Sequence, residues 1–507
     1  MSAAQTPEEI ADLIAGYIAG HPGAVVVEEG KMLFDFATAR YSAAPERERC
    51  LLQIWSEEGN IVRRAISAEV KNGILKLSVL RFGQAKPSRM EICSQAERRS
   101  PSALKAMRAA YQRGLERTLP RTFPGWKIER LTTSADLEHS FGAVCTRAVL
   151  RRGPERIAVV GCGEGESQAT VDNAVAVGVL WLDHCREHLP PNAHVASLAI
   201  FVPEGRARTV QLRLSHLDRA AAAWRLFALD ERTEQCEELD LASELNLSMQ
   251  LAHCLDRGQT LERFARSVDR MRGLCPEVEC VAQSSSAVSF RYHGLEFARA
   301  TMEADSHFRM GQRVLFGAPP AEYEWNEENE PLLARLTDRL RLKRGGRDHM
   351  DPFYRLQPER WLQSVVERDL SLIDPRLEPT PFYPQVPALT ASERAVMDLL
   401  GITRDGRLAV IELKAEEDFR LPVQGLDYWA RVRQHHRRGD FQRNGYFPGR
   451  VLSELDPILI LAAPALHVHP ATATMLRYFS PELDWTLVGL DERWRDGIRV
   501  VFRKEKQ

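Results

Sequence analysis

Three charged residues in the last third of the chain are spaced for chemistry. Asp398 sits inside the apolar run VMDLLGI, and Glu412 and Lys414 close the next apolar run, LAVIELK. Asp405-Gly406 between the runs marks a tight turn, so the two runs predict a β-hairpin. The two-residue period of a strand sends Glu412 and Lys414 to one face, where Asp398 can join them. An Asp inside an apolar run is costly to bury without a partner. Two carboxylates offer hard oxygen ligands to Mg²⁺, which polarises a phosphate and acidifies a bound water, and a neighbouring Lys can balance the charge that develops. That is the equipment for metal-assisted phosphodiester hydrolysis.

The elements that must hold these residues are legible on both sides. PERWLQSVVERDLSLI predicts an amphipathic helix with Pro358 at its first position and Glu359 in its first turn. Strands follow near YPQVPAL, RAVMDLLGIT and LAVIELKAE, then a helix from about Pro422 to Arg437 and a buried strand, DPILILAAPAL. This α-β-β-β-α-β order, with Asp398 and Glu412-x-Lys414 on adjacent strands, resembles the PD-(D/E)XK nuclease superfamily, the restriction-endonuclease-like fold, from about Tyr354 to Phe502. The resemblance implies a metal-dependent nuclease in which Glu359, Asp398 and Glu412 hold Mg²⁺ or Mn²⁺ and Lys414 assists the attacking water. It further implies that Gln424 and Tyr428, matching a Gln-x-x-x-Tyr pattern on the helix after the Lys strand, orient substrate; their i, i+4 spacing puts both on one helix face. Glu393, five residues before Asp398, is the alternative candidate should one of these carboxylates not serve; Glu416 and Glu417 read as exposed.

Beyond Tyr428 the run ARVRQHHRRGDFQRNGYFPGR sets Arg431, Arg433, Arg437, Arg438, Arg443 and Arg450 against Asp440, a net +5 by count. Such a strip can neutralise phosphates, and Tyr446 and Phe447 within it can stack on unpaired bases. The expected partner is nucleic acid, DNA above all. The alternative is a non-cleaving nucleic-acid-binding or scaffold protein of a DNA repair or defence complex that keeps the nuclease fold.

The whole chain has 507 residues, 44% hydrophobic and 27% charged, with a net charge of -2. These values exclude a disordered or fibrous protein and predict a multidomain, mixed α/β (α+β) chain whose nucleic-acid contacts come from local patches. No apolar run reaches the length of a membrane span, and the first residues read as a helix capped by Thr6 with Pro7 at its start rather than as a leader. A cytoplasmic protein is expected, and its nine Cys, irregularly spaced, read as reduced thiols. The predicted domains are a β-rich module over 1–100, an α/β domain over 101–235, a helical segment with a hairpin and linker over 236–345, and the nuclease-like domain over 351–507. The main linker is placed at Arg344 to Asp351.

The second of these domains repeats the α-β-β-β-α-β order. Laying RIAVVGCGEGE over RLAVIELKAEE without a gap puts Gly161 under Glu412 and Gly163 under Lys414, which predicts a degenerate second core lacking the reactive residues. TVQLRLSHLD, by its alternation, reads as a strand. The glycines of GCGEGE miss the spacing of a dinucleotide loop, His467-x-His469 lacks a third ligand nearby in sequence, and Cys275 and Cys280 lack a second pair.

Overall fold

The computed structural model describes the chain apart from residues 1–4, 22, 29–30, 37–38, 47–48, 57–58, 72, 81–86, 94–100, 137–138, 242–250, 305–309, 319–320, 347, 388–395 and 507; Glu393 lies outside the described residues. The chain is mixed α/β and divides into two compact units, the first Met1–Leu214 with Ala220–Ala242, the second Ser215–Arg219 with Ser243–Gln507. Among the described residues no helix is long and apolar enough to cross a membrane.

The first unit opens with α1 (Pro7–Gly20). Thr6 and Glu9 form a reciprocal capping box at its start, each side chain bonding the other's backbone N–H. A seven-stranded sheet follows, built from β1 (Val25–Glu28), β2 (Lys31–Asp35), β3 (Arg40–Glu46), β4 (Arg49–Ser56), β5 (Gly59–Lys71), β6 (Ile74–Leu80) and β7 (Ser88–Cys93) in the order β2-β1-β7-β6-β5-β4-β3. Ile10, Ile14 and Ile18 of α1 pack on it with Leu52, Leu75 and Ile92. Then come α2 (Pro101–Thr122), β8 (Lys127–Thr132), β9 (Thr146–Arg152), β10 (Glu155–Gly161), α3 (Ala174–His188), β11 (His194–Pro203), α4 (Arg208–Ser215), β12 (Ala223–Asp230) and β13 (Gln235–Leu239). Their six strands lie side by side in sequence order.

The second unit contains a five-stranded antiparallel sheet of β14 (Glu279–Ser284), β15 (Ala287–Tyr292), β16 (Leu295–Ala304), β17 (Met310–Ala318) and β18 (Ala321–Glu324). After α5 (Glu330–Lys343) and α6 (Pro358–Val366) the chain enters β19 (Tyr383–Pro387), β20 (Val396–Ile402), β21 (Leu408–Leu413), α7 (Leu421–Arg437), β22 (Ile458–Pro464), α8 (Ala471–Arg477), β23 (Trp485–Leu490) and β24 (Val500–Glu505). These six strands are again in sequence order.

The two six-stranded sheets share their pairing throughout. The first three strands are antiparallel, the third, fourth and fifth run parallel, and the sixth is antiparallel, in β8 to β13 and in β19 to β24 alike. Parallel β11 and β12 need a crossover, which is why TVQLRLSHLD, read as a strand, is mostly the helix α4, with Val210, Leu212 and Leu214 buried. The registers also correct the gapless overlay by one residue. Val160 pairs with Ile200 and Glu412 with Leu461, while the N–H groups of Cys162 and Lys414 donate to Phe201 and Ala462, each at 3.0 Å. Val160 therefore stands where Glu412 stands, and Cys162 where Lys414 stands. The reason is loop length: Arg152 pairs with Glu155 across two residues, whereas Thr403 bonds Arg407 across three. Arg147, opposite Val160, takes the place of Asp398.

The segment expected as a linker is a packed joint. Arg344 is fully buried, and its guanidinium donates to the carbonyls of Tyr292, His293, Phe353 and Leu356 at 2.6 to 3.2 Å while lying over the Trp361 ring. Burial, then the charge of Arg495, pushes its pKa down to about 10. The carbonyls of Tyr292 and His293 belong to the β15–β16 hairpin, whose two-residue turn has φ of 46° at His293 and 74° at Gly294; the turn lies against α6, with His293 stacked on Trp361 at 4.9 Å. Replacing Arg344 with Ala strands four carbonyls, so it should destabilise the second unit by about 3–5 kcal/mol in urea unfolding of the full chain. Arg344→Lys should recover only part, because an ammonium cannot reproduce the fork; a loss below about 0.5 kcal/mol for the Ala variant would show that the clamp is dispensable.

Candidate active site

The site is built at the ends of β20 and β21. Leu399 pairs with Ile411 at the end of the ladder, and Asp398 and Glu412 are the residues just beyond that pair, near enough for each to act on the other's carboxyl. Asp398 accepts the N–H of Leu413 at 2.9 Å. One face of β21, Ala409, Ile411 and Leu413, packs with Trp361, Leu362 and Val365 of α6, which fixes the helix that carries Glu359. The other face, which includes Glu412, turns toward α7. That helix sits low because residue 425 is Gly: a Cβ there would lie 2.6 Å from Leu461 Cδ2. Gly178 does the same for α3 over Leu198.

Electrostatics set the site's character. Glu412 is 3% exposed and Lys414 8%. Lys414 Nζ lies 3.1 Å from Glu412 Oε1 and 3.7 Å from Glu359 Oε1. Glu412 Oε2 is buried with no hydrogen-bond partner. Burial, then the charge of Asp398, holds the Glu412 carboxyl well above the usual range. Burial raises Asp398 as well, against the Leu413 N–H and the charge of Lys414. Burial alone would lower Lys414, but Glu412, Glu359 and Asp398 outweigh it and hold the ammonium above the usual lysine range. Tyr428 is raised by burial and then by Glu412 and Asp398, which places its phenol in the same field. Gln424, one turn earlier on α7, has a buried Oε1 without a partner.

The structure thus gathers Asp398, Glu412, Lys414 and Tyr428. Glu359 is set apart: its side chain is 52% exposed, and it does not join Asp398 and Glu412 in bringing three ligand oxygens within 4.8 Å of one another. The ammonium of Lys414 contacts Glu359 as well as Glu412, so the expected three-carboxylate shell is buried Glu412 and partly buried Asp398 with Glu359 on their rim. Orphaned Oε2 and the two hard carboxylates fit a divalent cation such as Mg²⁺ or Mn²⁺.

The basic strip is largely spent on internal pairs. Arg433 binds Asp456 at 2.7 Å and Glu482 at 3.2 Å, and Arg437 binds Asp456 at 2.9 Å; Arg443 pairs with Asp440 and Arg450 with Glu378. The count of charges within the run left out Asp456, Glu482 and Glu378, which lie outside it. Arg438 is exposed at the end of α7. Arg431 is buried on the Gln424–Tyr428 face, and its charge acts on Tyr428. Tyr446 and Phe447 are buried against Tyr383 and cannot stack on bases. His467 and His469 face Glu492 and Glu417, and all nine cysteines are free thiols.

A cleft of about 740 Å³ lies beside the site, lined by Arg291, Arg299, Gln357, Glu359, Arg360 and Glu416 among others. Burial, then the charge of Arg360, holds Arg291 below its usual range. These arginines escaped the sequence reading because Arg291 and Arg299 belong to a hairpin remote in sequence. The available signal was the Arg next to Glu359.

No family model matches the chain, and no curated protein matches it. Two solved structures align with under half of it. A repair endonuclease from Pyrococcus abyssi does so at 13% identity and a TM-score of 0.15, covering 44% of this chain and 96% of that one. An EndoMS–dsDNA complex does so at 12% identity and a TM-score of 0.16, covering 45% of this chain and 95% of that one. Scores this low fix neither fold nor activity.

The pairing of Asp456 gives a pH prediction. Burial would raise its pKa, but hydrogen bonds from Arg437 and Arg433 outweigh burial and hold it below the carboxylate range. Its contribution to stability should be complete above the unfolded value, about 3.9, and be lost as pH falls through the lower folded value. Asp456→Asn should flatten that acid limb in unfolding measured against pH; an unchanged limb would mean that the two arginines do not depend on it.

Proposed function

We propose that the protein is a metal-dependent nuclease that hydrolyses phosphodiester bonds of DNA, with its active site at the ends of β20 and β21. The observation that carries this reading is buried Glu412 with its Oε2 unpartnered, partly buried Asp398 on the neighbouring strand, and Lys414 alongside. A non-cleaving binding role would gain nothing from desolvating two carboxylates. In this reading β19 to β24 form a restriction-endonuclease-like core, and β8 to β13 are a degenerate counterpart in which Asp398, Glu412 and Lys414 are replaced by Arg147, Val160 and Cys162.

Asp398 and Glu412 would hold Mg²⁺ or Mn²⁺, with Glu359 left at the rim beside Lys414; the ion, when bound, would polarise the scissile phosphate and acidify a water. Lys414 remains an ammonium, so it donates hydrogen bonds and offsets the negative charge that develops on the phosphoryl oxygens. Tyr428 keeps its phenolic proton and, with Gln424, offers donors to orient the substrate. Arg291 and Arg360 give the nucleic-acid backbone a path past Glu359, while Arg299 in the same cleft is paired with Glu296 at 2.6 Å.

The test is cleavage of supercoiled, linear, single-stranded and branched substrates by the full chain, with and without Mg²⁺. Glu412→Gln should abolish metal-dependent cleavage while leaving thermal stability in the absence of metal unchanged or higher, because a buried like-charge contact is removed. Lys414→Ala should reduce turnover by about 10²–10³-fold, the usual cost of losing a donor to transition-state charge. Full activity in Glu412→Gln would overturn the assignment. Arg360→Ala should weaken binding and flatten the log-log salt slope by about 0.7–0.9 for the one phosphate no longer neutralised. Arg433→Ala with Arg437→Ala should leave the slope alone, since those side chains are held by Asp456.

A further inference from the structure

The first unit carries a cluster that this activity does not use. His184 and His188 stand at i and i+4 at the end of α3, their rings stacked with centroids 4.1 Å apart. His139 comes from the loop between β8 and β9, its ring 4.6 Å from His184 and 5.3 Å from His188. One ring nitrogen from each residue lies within 4.8 Å of the other two.

Two of the remaining nitrogens are already oriented. His139 Nδ1 lies 3.0 Å from both carboxylate oxygens of Asp136, which leaves Nε2 for a ligand. His188 Nδ1 donates to the carbonyl of His184 at 2.9 Å, which likewise frees Nε2. His184 Nδ1 is buried and has no hydrogen-bond partner. The loop that supplies His139 is closed by paired backbone hydrogen bonds between Asp136 and Phe141, and Phe141 and His184 both pack on Trp181. A carboxylate behind one imidazole and a carbonyl behind another are the outer contacts that fix metal-binding histidines. Asp136 also supplies negative charge beside His184, where Arg130 and the other two histidines act in the opposite sense.

We infer that His139, His184 and His188 form a binding site for a borderline divalent transition ion of the Zn²⁺ class. Three neutral imidazoles suit Zn²⁺, Co²⁺, Ni²⁺ or Cu²⁺ and not Mg²⁺, which prefers oxygen. Because His188 is exposed, the fourth position opens to solvent and takes water or an outside ligand. The ion ties the loop before β9 to the end of α3. Trp181, against which the cluster packs, holds the place on α3 that Tyr428 holds on α7, so the site stands beside the position where the first unit lacks its carboxylates.

Co²⁺ titration of the chelator-stripped full chain tests this directly. One equivalent should bind with visible d–d absorption of four-coordinate strength, be displaced by Zn²⁺, and resist a large excess of Mg²⁺. Asp136→Asn should weaken binding by about 10–100-fold, the usual effect of losing an outer carboxylate, and His188→Ala, a change at an exposed residue, should abolish the stoichiometric phase. Circular dichroism of both variants reports whether the unit still folds. Mg²⁺-dependent cleavage by the second unit should survive both changes, which separates this site from the nuclease reading. Absence of Co²⁺ binding, binding unaltered in folded His188→Ala, or a strong near-ultraviolet thiolate band assigning the ion to cysteines would each overturn the proposal.

Discussion

Two carboxylates stand close together on neighbouring strands, Glu412 buried and Asp398 partly so, and the second unit is arranged around that constraint. Cross-strand like charges repel, and desolvation makes the repulsion worse. The sheet answers with the N–H of Leu413, which Asp398 accepts, and with the ammonium of Lys414, two residues along the same strand as Glu412. Neither reaches Glu412 Oε2. What remains is a place where a divalent cation would be stabilising and where nothing among the described residues substitutes for one.

The first unit shows the same frame without that constraint. Strand order, parallel and antiparallel pairing, and the glycine that lets the crossover helix approach the fourth strand are all shared. Where the charges would stand there are Arg147, Val160 and Cys162. Cys162 Sγ rests 2.8 Å from Cys145 Sγ in a fully buried environment. Arg147, buried, lies over the Phe141 ring at 4.5 Å. Polar chemistry at this position is therefore separable from the fold: the sheet stands with three charges there or with one, provided its helix-facing side chains fill the space.

Much of this was legible in the sequence wherever a local period set it. Alternation along LAVIELK put Glu412 and Lys414 on one face, and apolar runs marked β8 to β12 and β19 to β22, while the edge strand β13 and the last two strands, β23 and β24, went unread. What failed depended on contacts remote in sequence. TVQLRLSHLD alternates like a strand, but two parallel neighbours demand a helical crossover. The gapless overlay slipped by one because a loop differs by one residue, and a slip of one moves every side chain to the other face. The basic run looked free because its partners, Asp456, Glu482 and Glu378, stand outside it. Arg344 looked like part of a charged linker, since no local pattern shows that four carbonyls from two segments converge on one guanidinium.

That convergence bears on the chemistry. Gly294, at the tip of the β15–β16 hairpin, has φ of 74°, and a Cβ there would sit 2.1 Å from the carbonyl oxygen of Arg360 on α6. The hairpin tip therefore touches the backbone of the turn that carries Glu359, while Arg291 and Arg299 on the same hairpin line the cleft that Glu359 also lines. Glu359 is the member of the charged set that faces both environments, half-exposed to the cleft and 3.7 Å from Lys414. A shift of the hairpin cannot leave α6 in place, because glycine at the contact leaves no side chain to absorb it. The position of Glu359 relative to Asp398 and Glu412 is consequently set from the five-stranded sheet as much as from the core that holds those two carboxylates, so the two parts of the second unit meet at Glu359.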